Sequence, residues 1–156
     1  MNIENRAKQY FNSGYNCAES VLLAACMESG YSESEAIKFI PRMATGFGGG
    51  IARNGGICGA LSGGLMALGL ALGRDDGRQS RDPCYPAADQ FYNEFIERFG
   101  HYSCRELTGL EMKNERDRKK YLEKVHQERC NPIVAWAAQR VMELTGEYSK
   151  GRPGTA

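Results

Sequence analysis

Residues 58–73, CGALSGGLMALGLALG, form the most apolar segment of the chain and decide its fold. The segment carries no charge on any side, which predicts a helix that is buried all round. A glycine inside a helix costs about 1 kcal/mol relative to alanine, so these glycines need a packing reason. The pairs Gly59/Gly63 and Gly69/Gly73 are spaced four residues apart, which suits close approach by the backbone of another helix or of a second subunit. We therefore predict a central, glycine-faced helix.

The rest of the chain shows apolar residues at helical spacing, and no run alternates convincingly with period two. Residues typical of helix starts recur, among them three stretches that fit capping boxes and a proline at position 132 that fits the first turn of a last helix. The predicted helices span residues 3–12, 17–28, 33–43, 87–99, 104–108, 111–128 and 133–144. The expected fold is all-α: a compact bundle of about six to seven helices around the buried central helix. We expect one domain over residues 1–148 and a disordered tail over 149–156.

Charge and hydropathy exclude several classes of protein. Twenty basic and 19 acidic residues give 156 residues a net charge of +1, so nothing steers the chain towards nucleic acid. No apolar stretch is long enough to span a bilayer, which predicts no membrane insertion. The first residues are polar and lack the apolar core of a signal peptide, so we expect a cytoplasmic protein.

Six cysteines are more than packing alone usually explains. In the expected compartment they are more often redox thiols, metal ligands or core residues than structural disulfides. Four of them lie at predicted helix N-termini: Cys17, Cys58, Cys104 and Cys130. The positive end of a helix dipole stabilises a thiolate there, and a lowered thiol pKa makes a cysteine reactive or metal-binding. These four are therefore the candidate site residues.

The other candidate residues carry weaker signals. Cys26 lies within an apolar helical run and is expected to be a core residue, whereas the role of Cys84, between two prolines, stays open. The glycine-rich residues 46–56 are expected to let backbone approach Cys58 closely. Arg53 in that loop is a candidate partner for a thiolate or an anion, although a surface arginine is the simpler interpretation. For His101, near Cys104, a surface role is likewise the simpler interpretation.

Several known site patterns are missing from the sequence. There is no Cys-x-x-Cys and no Cys-x-x-Cys-His, which argues against a thioredoxin-type dithiol, a zinc ribbon and covalently attached c-type haem. The two histidines fit no zinc spacing. The glycine-rich loop lacks the last position of the dinucleotide fingerprint, and no P-loop occurs.

The motifs YNCAES at residues 15–20, FGGG at 47–50 and GICGALSG at 56–63, followed by two later cysteines, resemble the C_GCAxxG_C_C family. Proteins of this family are described as redox-active and are named for their cysteines, which map here onto Cys17, Cys58, Cys104 and Cys130. The one mild departure is Ile57 between the glycine and Cys58. The resemblance covers roughly residues 5–144, and a related domain occurs in the split-Soret cytochromes. Family members are often encoded near transporter genes, which implies association with a transport system.

Three functions remain open at this level. In the first, the four cysteines cycle between dithiol and disulfide and exchange electrons with an unidentified donor or acceptor. In the second, the same four cysteines ligate an iron–sulfur cluster or another metal. In the third, the chain is a non-catalytic helical interaction module, for example a homodimer through the glycine-faced helix, with buried cysteines. The first of these is the leading expectation.

Overall fold

The computed structural model describes residues 1–31 and 35–150, and within them the chain folds into helices joined by turns. Two short 3-10 helices span Glu35–Lys38 and Thr45–Phe47, and a π-helix spans Tyr121–Cys130. The described residues contain no β-strand, only an isolated antiparallel bridge between Ile57 and Ser103. The predicted all-α class is confirmed. The α-helices are α1 (Ile3–Asn12), α2 (Cys17–Glu28), α3 (Ile40–Ala44), α4 (Gly59–Leu72), α5 (Cys84–Phe99), α6 (Cys104–Thr108), α7 (Glu115–Lys120) and α8 (Asn131–Ser149).

Most predicted helices are present, with some shifted ends. Helix α5 begins at Cys84, three residues before the predicted start, and α8 continues to Ser149, past the predicted end at residue 144. The capping box predicted from residue 32 lies outside the described residues at its start. From Glu35 onward the chain forms a 3-10 turn and then α3, in which Pro41 lies in the first turn and not near the end. A proline fits there because the first turn leaves its backbone nitrogen without an intrahelical partner. Residues 151–156 of the predicted tail lie outside the described part.

Helix α4 is the centre of the bundle, as the sequence predicts. It packs against α2, α8 and α5. Leu61 and Leu68 are completely buried, as are Phe91 and Phe95 of α5. The Phe91 ring stacks on Trp136 of α8, with ring centroids 5.7 Å apart. Burial of such aromatic side chains contributes much of the apolar area that stabilises a small core.

The first predicted glycine pair explains how close α4 lies to α2. A Cβ built on Gly63 would collide with the carbonyl oxygen of Ala18 and lie 3.0 Å from its Cα. A Cβ on Gly59 would collide with the Cys17 sulfur. The second pair does not serve this purpose, because Gly69 has open space where its Cβ would be. The close approach therefore occurs only at the end of α4 that carries Cys58.

Residues 115–149 run as one helical segment with a wide π-helical turn between α7 and α8. The amide of Asn131 donates to the carbonyl of His126, five residues back, which is the π-helical spacing. None of the helices in the described residues is both long and apolar enough to cross a membrane.

Candidate functional site

The four sequence-predicted thiols line a single cavity of about 570 Å³. It opens between the start of α2, the glycine-rich loop and the π-helix. Cys58 and Cys104 are each only 8% exposed, whereas Cys17 and Cys130 are half-buried. Four cysteines that are 113 residues apart at their extremes in sequence, from 17 to 130, are thus gathered in one place.

Cys17 is held by a capping box. The Asn16 side chain accepts from the amides of Ala18 and Glu19, and the Glu19 carboxylate accepts from the Asn16 amide at 2.8 Å. Cys17 is therefore the first residue of α2, as predicted. Backbone amides of Gly49 and Gly59, together with those of α2 itself, lower the pKa of the Cys17 thiol and so favour its thiolate.

Cys58 and Cys104 are brought together by the isolated bridge. The Cys58 amide donates to the Tyr102 carbonyl at 2.8 Å, and the Cys104 amide donates to the Gly56 carbonyl at 2.7 Å. Cys58 is the N-cap residue of α4, and Cys104 is the first residue of α6, after the capping Ser103. Two strand-like hydrogen bonds thus place two helix starts side by side. No period-two pattern in the sequence predicted them.

Cys130 is placed differently from the prediction. It does not lie at a free helix N-terminus: it is the last residue of the π-helix that runs directly into α8, and it has helical backbone angles, φ −76° and ψ −38°. Asn131, predicted as an N-cap, lies inside the continuous helix. Its side-chain amide donates to Asn12 of α1 at 3.0 Å and to Gln127 at 2.6 Å. The Asn–Pro signal was misleading because the first turn of α8 follows directly from another helix.

Contacts with α1 hold the π-helix against the site. The His126 ring stacks on Phe11, with centroids 4.1 Å apart, and Gln127 donates to the Asn12 side chain at 3.0 Å. π-Helical turns are frequent at functional sites. This one carries four cavity residues: Tyr121, Leu122, His126 and Cys130.

The glycine-rich loop contains a left-handed turn. Five consecutive residues, from Gly49 to Arg53, have φ between 49° and 69°, and three of them are not glycine. A left-handed conformation costs a non-glycine residue roughly 1–2 kcal/mol, and such strain is concentrated at functional sites. A Cβ on Gly50 would lie 2.6 Å from the Gly56 nitrogen and 2.7 Å from the Cys104 Cβ. The loop therefore closely approaches Cys104, and its Gly49 amide approaches Cys17, whereas the sequence predicted an approach to Cys58.

The electrostatics of the thiols are opposite to the expectation from their helix ends. Burial raises the pKa of all four, to about 11 for Cys104 and to about 12 for Cys130. Burial is also the main cause of the raised pKa of Cys17 and Cys58, and negative charge on Cys17 would raise the pKa of Cys58 further. Neighbouring backbone amides oppose this increase at Cys17 and Cys58 without outweighing it. The predicted lowering of the thiol pKa is therefore wrong for the bare site.

Tyr121 is a site residue that the sequence analysis missed. Its hydroxyl lies within hydrogen-bonding reach of the Cys130 sulfur and lowers the pKa of that thiol, which burial raises. The pKa of the half-buried Tyr121 hydroxyl is itself raised by loss of solvent and by negative charge on nearby cysteines. The nine-residue separation of Tyr121 and Cys130 gives no sequence signal, because the π-helical turn between them was not predictable.

The remaining cysteines and His101 lie outside this cavity. Cys26 is 1% exposed in the core, as expected, and burial raises its pKa to about 11. Cys84 is half-buried at the start of α5. The His101 ring accepts from the Ser103 amide at 3.0 Å and is not among the cavity residues. Across residues 1–31 and 35–150, no disulfide is formed and no three potential ligands converge on a position for one metal ion.

Comparisons with known proteins agree with the cysteine pattern. An uncharacterized protein of Archaeoglobus fulgidus is 31% identical over 129 residues, which cover 77% of this chain and 83% of that protein. No solved structure matches. The family described as "Putative redox-active protein (C_GCAxxG_C_C)" matches residues 15–144, a range that includes all four cavity cysteines. The chain belongs to this C_GCAxxG_C_C family of redox-active proteins.

Proposed function

We propose that Cys17, Cys58, Cys104 and Cys130 form a single redox centre, and that they do so as ligands of an iron–sulfur cluster. The observation that carries this proposal is that all four thiols line the same cavity. The family description supports redox activity and does not specify its chemistry. An iron–sulfur cluster was the second of the three functions that the sequence left open. Three features of the site favour it over the first, cycling of the cysteines between dithiol and disulfide.

The first feature is the protonation state of the thiols. Disulfide exchange requires a thiolate, and burial raises the pKa of each of these thiols above that of an exposed cysteine. A bound metal deprotonates its thiol ligands outright, because its positive charge reverses the local electrostatic balance. Four thiols that are buried or half-buried, and whose negative charges disfavour one another, are therefore better suited to surround a cationic cluster than to act as nucleophiles.

The second feature is the set of amide donors around the sulfurs. Amides of Gly49 and Gly59 lower the pKa of Cys17, and those of Ala60 and Leu61 lower the pKa of Cys58. Hydrogen bonds to ligating sulfurs are one of the means by which a protein sets the potential of an iron–sulfur cluster. A thiol that only packs in a core does not need several converging donors.

The third feature is the spacing of the thiols. In the described residues no three ligands meet around a single ion. Negative charge on Cys17 would nevertheless raise the pKa of Cys104, and charge on either of them would raise the pKa of Cys130. Ligands spread around a cavity suit a cluster of several metal atoms better than one tetrahedral zinc or iron. The bound cluster would supply one-electron redox chemistry, and the chain would supply ligands, amide donors and partial exclusion of water.

Anaerobic purification followed by an absorption spectrum and by iron and acid-labile sulfide analysis tests the proposal. We expect iron and sulfide in the wild type and their loss in Cys58→Ser and Cys104→Ser. Cys84→Ser is the matched control, because Cys84 is also half-buried at a helix start but lies outside the cavity. A folded, iron-free wild type refutes the cluster.

Thiol counting on the same samples separates the other two functions. Negative charge on Cys17 would raise the pKa of both Cys58 and Cys104, and this observation supports a dithiol centre as the second candidate function. Loss of two or four thiols on mild oxidation, without dimer formation, would support disulfide cycling by the same residues. Unchanged redox and metal behaviour in both serine variants would favour the third function, a non-catalytic helical interaction module.

A further inference from the structure

The cavity that contains the thiols has an unusual charge pattern. Its lining includes two arginines, Arg53 and Arg118, and one histidine, but no aspartate and no glutamate. Burial lowers the pKa of His126, so its imidazole is neutral at neutral pH and the arginines provide the charge. The nearest helix-start carboxylate, Glu19, is already engaged by the Asn16 amide and the Thr45 hydroxyl.

Within the part of the chain that the structure describes, neither cavity arginine has an acceptor. Some other arginines are paired with a carboxylate: Arg140 bonds Glu94, and Arg105 lies 2.7 Å from Glu111. Among the residues that the structure describes, the guanidinium groups of Arg53, which is exposed at the cavity mouth, and of half-buried Arg118 form no hydrogen bond and no ion pair. Guanidinium groups present paired donors that match carboxylates and oxyanions, so two unpaired ones at a cavity are suited to an anion.

The strained loop explains why Arg53 lies at the cavity. Arg53 is the last of the five left-handed residues, with φ 65°, and its amide donates to the Gly48 carbonyl at 3.1 Å. A Cβ on Gly49 would lie 3.0 Å from the Cα of Arg53, so the turn is tightly closed beneath it. The backbone conformational energy of an arginine at this position would be lower in a right-handed or extended conformation. The fold thus maintains a strained conformation that places this side chain on the lining.

We propose that the cavity binds a small anionic ligand, a carboxylate or an inorganic oxyanion, between Arg53 and Arg118 and beside the four thiols. A cavity of about 570 Å³ lies in the range of small-molecule sites. The lining is otherwise mostly apolar, with Asn16 and Thr108 as additional polar groups, which suits a small organic acid as well as a simple oxyanion. The anion site goes beyond the proposed redox centre and holds whether the thiols carry a cluster or a disulfide.

Calorimetric titration of the protein as purified tests this proposal, with malonate and inorganic phosphate as the two probes. We expect saturable binding of at least one probe, and the preferred probe identifies the ligand as a carboxylate or an oxyanion. A charge pair at contact distance in water corresponds to about a fivefold change in affinity. We therefore expect Arg53→Gln and Arg118→Gln each to raise the dissociation constant about fivefold, and added salt to raise it further.

Arg116→Gln is the matched control, because Arg116 lies in the same helix as Arg118, is exposed and does not line the cavity. We expect this variant to bind like the wild type. Urea unfolding of each variant verifies that the fold is intact. The proposal is overturned if neither probe binds saturably in the millimolar range, or if Arg116→Gln weakens binding as much as the two cavity variants. Iron and sulfide content, measured on the same samples, reports separately on the redox centre.

Discussion

Gly63 and Gly69 occupy the same helix and differ in what an added methyl group would meet. A Cβ on Gly63 would collide with the Ala18 carbonyl oxygen and approach its Cα to 3.0 Å and its carbonyl carbon to 3.1 Å. All three atoms are backbone, so no side-chain rotation can relieve the contact. At Gly69 there is nothing within 4 Å. We predict that alanine destabilises the protein at Gly63 and stabilises it at Gly69.

The magnitudes follow from two terms. Both substitutions improve helix propensity, by about 1 kcal/mol in a helix interior. Only Gly63→Ala adds overpacking, which typically costs about 1–3 kcal/mol and more where backbone must move. Because the propensity term is shared, the difference between the two variants isolates the overpacking cost. We expect Gly69→Ala to raise the free energy of unfolding by about 1 kcal/mol. The free energy of unfolding of Gly63→Ala should be at least about 1–3 kcal/mol lower than that of Gly69→Ala.

Urea denaturation of both variants and the wild type, at one pH and with slopes compared, measures these free energies. The Gly63 variant also has a consequence for the site. Pushing α2 away from α4 moves Cys17, whose sulfur lies against Gly59, so iron retention or thiol reactivity should change in this variant and not in Gly69→Ala. Equal stability of the two variants would refute the interpretation that α2 and α4 touch through the backbone at Gly63.

Three further predictions concern the site and its loop. Tyr121→Phe should raise the pKa of the Cys130 thiol, since the lost hydroxyl favours the thiolate, and the pH profile of alkylation should shift upward in metal-free protein, whereas Tyr148→Phe, outside the cavity, should leave it unchanged. Ala52→Gly should stabilise the chain by about 1 kcal/mol in urea unfolding, because its φ of 49° is strained for alanine; a loss of stability would contradict the left-handed turn. In metal-free protein the free energy of unfolding should fall as the pH rises from about 9 to 11, because thiols such as Cys104 ionise first in the unfolded chain; a flat profile would contradict their burial.

Local rules were enough to predict part of the site. The Asn16–Glu19 capping box acts within four residues, so the position of Cys17 at the start of α2 followed from the sequence. The glycines of α4 likewise indicated a close backbone neighbour, although the sequence did not say which helix it would be or that Gly69 would be open. Each of these features depends on the residue type and its immediate spacing along the chain.

The features that were missed depend on tertiary contacts. The π-helix is held by α1 through Phe11 and Asn12, and no propensity scale separates it from an ordinary charged helix. The left-handed conformation of Ile51 and Ala52 opposes their intrinsic preference and exists because the surrounding loop is closed by hydrogen bonds from Ala52 to Gly46 and from Gly55 to Gly49. Tyr121 and Arg118 line the cavity because the helical segment that carries them follows a path that the sequence did not predict.

The thiol pKa values show which physical effect dominates the site. A helix N-terminus stabilises a nearby negative charge by roughly 0.3–1 kcal/mol. Burial raises the pKa of Cys104 from 9.0 to about 11, which corresponds to about 3 kcal/mol in the opposite direction. The effect of burial on the thiol pKa is therefore larger than that of the helix end. Each thiol that loses its proton also repels negative charge on the other thiols and so raises their pKa. We propose a metal cluster over free thiolates as the working state, because a multiply charged cation would deprotonate thiols that burial otherwise keeps neutral.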